Sequence, residues 1–265
     1  MPESRVILGD PTTMNDHALA RRLADSAGEV LLDLRAEDPS ADPAALRAEG
    51  DRRSQAHLAD QLSRHRPGDA VLSEEAKDDG MRVGASRVWI IDPLDGTREF
   101  GEVPRADWAV HVALWEDGDL VAGAVARPAM GSTLATDAPP VPPADRGERI
   151  RLAVSRTRPP AFVTRLAEKL DAELVPMGSA GVKATAVLDG TVDAYVHAGG
   201  QFEWDSAAPV AVARAAGLHA SRIDGSPLVY NRTDPSLPDL VICHPDLADA
   251  ILTAIRELTL EGDPA

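Results

Sequence analysis

Apolar residues recur at spacings of three and four over residues 15–35, at Leu19, Leu23, Ala27, Val30, Leu31 and Leu34, which predicts a helix with one stripe turned to a core. Asn15 or Asp16 stands ready as its N-cap. A polar stretch with Pro39 and Pro43 breaks the pattern, and a second helix is predicted from about Gly50 to His65, stopped by Arg66-Pro67-Gly68-Asp69. The period then changes. Residues 70–72 and 88–91 are apolar runs of strand length, and residues 107–115 alternate with Trp108, Val110, Val112 and Leu114 on one face. Glu116-Asp117-Gly118-Asp119 is a turn signal that folds this strand back on residues 120–126 as an antiparallel hairpin.

The segment 138–147 holds four prolines and continues neither kind of regular structure, so the domain boundary is placed there, between portions 1–140 and 148–265. Beyond it strands at 150–154, 174–177, 194–196 and 240–243 alternate with helices at 160–170, 181–188, 205–216 and 245–258. Alternation of this kind predicts an α/β class in which helices cover a sheet.

Composition narrows the picture. A chain of 265 residues with 44% hydrophobic and 26% charged side chains is built for one large or two apposed domains and excludes a disordered, collagenous or disulfide-scaffold protein. With aromatic residues at 3%, the core must be filled by Ala, Val, Leu and Ile. A formal charge of −16 repels the nucleic-acid backbone and anionic lipid headgroups, so neither nucleic acid nor membrane is an expected partner. The single Cys243 lies in an apolar run and cannot form an internal disulfide; it reads as a core residue in a reducing, cytoplasmic setting. The apolar stretch after Met1 is too short for a signal peptide, and no run of membrane-spanning length occurs.

The candidate chemistry begins at Trp89-Ile90-Ile91-Asp92-Pro93-Leu94-Asp95-Gly96-Thr97, where two carboxylates three residues apart follow an apolar strand with Pro93 fixing φ between them. Both can converge on one cation, the Leu94 carbonyl can add a hard oxygen, and Gly96 and Thr97 would open a helix whose free N–H groups suit a phosphate. The competing reading is a plain turn, since Asp-Pro and Asp-Gly are common turn signals. A second acidic pair, Glu74-Glu75, ends the strand at 70–72, and alone it reads equally as a solvated pair. A third site is Glu203-Trp204-Asp205-Ser206-Ala207-Ala208-Pro209, where Asp205 is either a helix cap or a ligand.

Taken together, in the order Glu-Glu, Asp-Pro-Leu-Asp-Gly-Thr, Trp-Asp-Ser-Ala-Ala-Pro, these motifs resemble the Mg²⁺-dependent, lithium-sensitive inositol monophosphatase superfamily, with the match running from Asp51 to about Gly217. Ser155-Arg156-Thr157-Arg158 and Gly178-Ser179-Ala180-Gly181-Val182-Lys183 are similar to the actinobacterial branch that acts on 3′-phosphoadenosine 5′-phosphate in sulfate assimilation. The resemblance implies a layered α/β sandwich of two portions with the metals between them. It implies further that Glu74, Asp92, the Leu94 carbonyl, Asp95 and Asp205 hold two or three Mg²⁺ ions. Asp51 and Thr97 would join Glu74 in orienting water, Gly96 and Thr97 would cradle phosphate, and Glu75 would sit beside Glu74. The family often has Thr shortly before the Asp51 position, whereas Leu46-Arg47-Ala48-Glu49-Gly50 precedes it here.

A phosphate monoester is a dianion, so its hydrolysis needs positive charge on the transferring oxygens and an activated water, and Mg²⁺ with oxygen ligands supplies both. Bound metals also reverse the local sign of an acidic protein toward an anionic substrate. A sequence without His-x-x-x-His or Cys-x-x-Cys fits that ligand preference. For the second phosphate or ribose of a nucleotide bisphosphate the candidates are Ser155, Arg158, Ser179 and Lys183, with Asp205 also at the substrate; Lys183 is one of three lysines, and Arg156 and Arg158 read equally as solvated. Lone histidines such as His111 and His197 read as structural. The expected activity is release of the 3′-phosphate of 3′-phosphoadenosine 5′-phosphate, with an inositol-1-phosphate or fructose-1,6-bisphosphate phosphatase as the alternative within the superfamily. An aspartyl-nucleophile phosphatase would have its two Asp two residues apart, and a noncatalytic metal- and nucleotide-binding sensor would not need Thr97 together with Asp51. Whether the chain acts alone or as a homodimer stays open.

Overall fold

The structure, a computed structural model, describes residues 14–38, 42–144 and 146–260; the N-terminal stretch weighed as a leader, together with Pro39 and Asp145, lies outside them. Helix α1 (Asp16–Glu37) starts where the periodicity predicts, with the Asn15 side chain accepting from the Ala18 amide. Helix α2 (Pro43–His65) begins seven residues before the predicted start. Pro43 does not break it, because proline at the first helical position loses no hydrogen bond and the Asp42 carboxylate caps the amides of Ala44 and Ala45.

The first sheet has the order β1-β2-β3-β4-β5, formed by β1 (Ala70–Ser73), β2 (Arg87–Asp95), β3 (Ala109–Glu116), β4 (Asp119–Arg127) and β5 (Ser132–Ala135). A five-residue helix α3 (Thr97–Gly101) follows β2. Strand β1 runs parallel to β2 and the remaining pairs are antiparallel; the predicted hairpin turns at Asp117-Gly118, both in the positive-φ region. The second sheet, β7-β6-β8-β10-β9, is formed by β6 (Arg151–Ser155), β7 (Glu173–Met177), β8 (Ala194–Phe202), β9 (His219–Ser221) and β10 (Ser236–Cys243). Its helices are α4 (Ala161–Lys169), α5 (Ala180–Leu188), α6 (Glu203–Ala215) and α7 (Pro245–Leu260). Strands β5 and β9 carry too few apolar residues to be visible as patterns, and β8 runs well past its predicted end because Gln201 and Phe202 pair again with β10 beyond the irregular Gly199-Gly200 step.

Three apolar layers stack these elements into a sandwich. Leu19, Leu23, Leu31, Leu58 and Leu62 of α1 and α2 pack on the face of the first sheet that presents Trp89, Ile91, Trp108, Val110, Val112 and Leu114. The opposite face, with Leu72, Val88, Ile90, Ala109 and Ala113, meets the small residues of α5 and α6, which also contact Tyr195, Leu240 and Ile242 of the second sheet. Helices α4 and α7 cover the outer face of that second sheet, where Cys243 is fully buried. The order is helix, sheet, helix, sheet, helix, an α/β layered architecture. The end of β2 meets the first turn of α6 in the central layer, and the acidic motifs come together there. Among the described residues no helix is long and apolar enough to cross a membrane.

Candidate active site

Strand β2 does not stop at Ile91. It continues to Asp95 with its register to β3 shifted between Asp92 and Asp95, so Pro93 and Leu94 bulge out of the ladder where a residue without an N–H costs nothing. The bulge is pinned from two sides. The Leu94 amide donates to Asp92 Oδ1 at 3.0 Å, and the buried Ser54 hydroxyl of α2 donates to the Pro93 carbonyl at 2.7 Å. Gly50 lets α2 approach this closely, because a Cβ there would stand 2.7 Å from Phe100 and 2.9 Å from Leu94. The residues that replace the usual approach to Asp51 thus serve a close helix contact, which brings Asp51 Oδ1 to 3.5 Å from Thr97 Oγ1. The Thr97 hydroxyl also lies 3.0 Å from the Leu94 carbonyl, its better acceptor. Gly96 turns the chain into α3 at φ 85°, with only 3.0 Å between an added Cβ and Ser179.

Asp92, Asp95 and Asp205 converge: one oxygen of each lies within 4.8 Å of the others, with Asp92 and Asp95 buried. They come from the end of β2 and the first turn of α6, which sequence separation conceals. Asp95 is tied to α5. Its carboxylate accepts from the Ala180 amide at 3.0 Å, the Gly181 amide at 2.6 Å and the Ser179 hydroxyl, while Ser179 caps α5 by accepting from Val182 at 3.0 Å. Asp205 Oδ2 accepts from the Phe202 amide at 2.7 Å, so the residue caps α6 and also contributes an oxygen to the triad. Glu74 stands at the mouth, open to solvent on one side and crowded by Asp92, Asp95 and Asp205 on the other.

The electrostatics are those of clustered like charges. Burial, then Asp205, Asp95 and Glu75, pushes the Glu74 pKa up to about 7 against a hydrogen bond with Asp92; burial and Asp95 push Asp205 up to about 6; burial with Glu74, Asp95 and Asp205 drives Asp92 well above the carboxylate range. Asp95 goes the other way: burial opposes its ionisation, but His111, the Ser179 hydroxyl and the α5 amides outweigh it and hold the pKa below normal. Asp51 is raised to about 6 by burial and by Glu75. An all-oxygen donor set with this much unrelieved repulsion fits a hard divalent cation.

His111, which the sequence reads as a structural histidine, lies against this site. It sits on β3 opposite Asp92, is fully buried, and has Nδ1 3.0 Å from the Trp204 carbonyl and Nε2 3.1 Å from Asp95 Oδ2, the latter too oblique for a full hydrogen bond. Both nitrogens face oxygen acceptors. Burial pulls the imidazole pKa down, but the Asp95 charge leaves the net shift upward. The only sequence signal was its place in the middle of an otherwise apolar strand.

Beside the triad opens a cavity of about 300 Å³ whose lining includes Ser155, Arg158, Lys183, Tyr195, His197 and Gln201. Lys183 is buried, donates to the carbonyls of Gly178 at 3.2 Å and Ser179 at 2.8 Å, and lies 5.5 Å from the Tyr195 ring centre; burial lowers its pKa. Arg158 is exposed at the rim, its backbone amide 3.3 Å from the Ser155 hydroxyl. Arg156 turns away to ion pairs with Glu99 at 2.7 Å and Glu102 at 2.6 Å. Gln201 Oε1 and His197 Nε2 are buried without a protein partner. Tyr195, His197 and Gln201 fall on one stretch of β8 whose lining role only the fold reveals.

The model of the inositol monophosphatase family matches residues 14–260. A Mycobacterium leprae protein named 3′-phosphoadenosine 5′-phosphate phosphatase is 52% identical over 257 residues, covering 92% of this chain and 95% of that protein. The Escherichia coli protein named 3′(2′),5′-bisphosphate nucleotidase CysQ is 32% identical over 186 residues, 65% of this chain and 74% of its own length. Among solved structures, CysQ from Bacteroides thetaiotaomicron, described as a bacterial member of the inositol monophosphatase family, superposes with a TM-score of 0.74 at 27% identity, covering 88% of this chain and 98% of that one.

Proposed function

The chain belongs to the inositol monophosphatase family, and from that premise we propose that it is a metal-dependent phosphatase that converts 3′-phosphoadenosine 5′-phosphate to AMP and inorganic phosphate. The observation that carries the substrate is the cavity beside the carboxylate triad, with Arg158 and Lys183 available to a second phosphate and two buried polar atoms that lack a protein partner. Glu74, Asp92, Asp95, Asp205 and the Leu94 carbonyl would hold two or three Mg²⁺ ions. When bound, these supply positive charge against the phosphoryl oxygens and acidify water at the reacting phosphorus.

The chain's own groups do the rest. Asp51, with its pKa raised to about 6, accepts the proton of the attacking water near neutral pH, and Thr97 orients that water from its position between Asp51 and Leu94. The amides of Gly96 and Thr97 donate to phosphoryl oxygens. The water oxygen bonds to phosphorus, the bond from phosphorus to the ribose 3′-oxygen breaks, and that oxygen leaves as an alkoxide that takes a proton from solvent water to become the hydroxyl, while Asp51 returns its proton to solvent. A phosphate-release panel with 3′-phosphoadenosine 5′-phosphate, inositol-1-phosphate and fructose-1,6-bisphosphate, with Mg²⁺ and with chelator, tests the reading; preference for the inositol ester would defeat the substrate assignment.

Lithium chloride inhibits at millimolar or lower concentration, more deeply with substrate present, because Li⁺ takes a Mg²⁺ position with half its charge. Sodium chloride at equal ionic strength is the control, and equal effects of the two salts would refute the metal assignment. The chelated protein carries a second signature. Carboxylates whose folded pKa is raised bind protons more tightly when folded, so their stabilising contribution is complete at low pH and disappears as pH rises through about 6 for Asp205 and about 7 for Glu74. Melting in chelator therefore falls by several degrees from about pH 5 to about pH 8, and Mg²⁺ restores it at the alkaline end. A chelated melting temperature that rises over that window would contradict the clustered charges.

A further inference from the structure

We propose that His111 is the positioning residue of the metal centre: its ring locks Asp95 and the first turn of α6 to one another, so that the triad is set for a cation before one arrives. This rests on the reading of Asp95 and Asp205 as metal ligands. Each face of the ring meets a part of that centre. Nδ1 is 3.0 Å from the Trp204 carbonyl, which can only accept, so Nδ1 carries the hydrogen and grips the residue adjacent to Asp205. Nε2 is packed 3.1 Å from Asp95 Oδ2, a close contact too oblique for a full hydrogen bond. The α5 turn that donates to Asp95 closes over the ring through Gly181, where a Cβ would come within 1.9 Å of Nε2.

The register places His111 directly across from Asp92, so both side chains leave the sheet on the same face. Fully buried, the ring has no freedom to turn away. The physical need is plain: three carboxylates with oxygens within 4.8 Å of one another repel and would swing apart without a cation. Asp92 is held by the Leu94 amide and Asp205 by the Phe202 amide, each within its own segment. His111 is the side chain that spans the segments, touching both Asp95 and the backbone that carries Asp205. It is a positioning residue, since it acts through Asp95.

Two substitutions separate its contacts. His111→Asn keeps a donor near Nδ1 for the Trp204 carbonyl and gives up Asp95; His111→Gln reaches the Nε2 position toward Asp95 and gives up the carbonyl. Mg²⁺ binding to the substrate-free protein is measured by calorimetry, kcat and KM separately, and melting in chelator for each variant. We expect His111→Asn to bind Mg²⁺ about tenfold or more weaker, with kcat reduced and the nucleotide KM little changed, and His111→Gln to recover most of the affinity. The proposal is overturned if His111→Asn binds Mg²⁺ like the parent, if His111→Gln is the weaker of the two, or if affinity merely follows the chelated melting temperature. Failure of the underlying metal reading looks different: the parent protein would show no Mg²⁺ heat, or Asp95→Asn would bind Mg²⁺ as tightly as the parent.

Discussion

Asp205→Asn folds and loses more than about a hundredfold in kcat/KM, because a carboxylate that holds charge opposite the transferring phosphoryl group is replaced by a neutral amide of the same shape. Asp95→Asn loses at least as much, yet the two variants part company in stability. At Asp205 the ionised form is unfavourable in the folded protein, its pKa being pushed up to about 6, so neutralising it raises the chelated melting temperature at alkaline pH. Ionised Asp95 is favoured, held by the amides of Ala180 and Gly181, the Ser179 hydroxyl and His111. An asparagine there turns an amide group toward donors and costs about 1–3 kcal/mol. Kinetics with and without chelator and melting curves check both halves, and near-full activity in either variant would remove that residue from the proposed metal centre.

Arg158→Ala lowers kcat/KM for 3′-phosphoadenosine 5′-phosphate by about tenfold or more while leaving inositol-1-phosphate hydrolysis nearly unchanged. The argument is one of where binding energy acts. A nucleotide bisphosphate has a second phosphate to offer the exposed guanidinium at the cavity rim, and an inositol monophosphate has none. Lys183 is a poorer probe than its place in the sequence implied. Its ammonium ties the carbonyls of Gly178 and Ser179, and Ser179, held at φ 41°, both caps α5 and donates to Asp95. Lys183→Ala therefore loses activity on both substrates, through the metal centre as much as through the cavity. Equal losses on both substrates for Arg158→Ala would overturn the nucleotide reading and leave the phosphatase reading standing.

Much of this was legible along the chain because it depends on near neighbours. The spacing of Leu19, Leu23, Ala27, Leu31 and Leu34 defines α1, Asp117-Gly118 turns β3 into β4, and Gly96-Thr97 opens a short helix, whereas the bulge that carries β2 from Ile91 to Asp95 is a product of its pairing with β3. Where the local signal was ambiguous the reading failed in an explicable way. Pro39 and Pro43 read along the chain as one break, whereas Pro43 with the Asp42 cap opens α2.

What only the tertiary structure decided is which distant groups share a space. Asp205 lies 110 residues beyond Asp95, and nothing in either segment states that the first turn of α6 meets the end of β2. His111 looked like a lone polar residue in an apolar strand, and becomes part of the site because β3 pairs with β2 in a register that sets it across from Asp92 while α5 and α6 close over it. Arg156 and Arg158 are indistinguishable by type; one is spent on Glu99 and Glu102 and the other is left at the cavity rim. The physical reason is the same in each case. Residue type and spacing set backbone conformation, which is local, but ligand convergence, burial and the sign of a pKa shift depend on Coulomb interactions and desolvation among groups that only the packing of the central layer brings together.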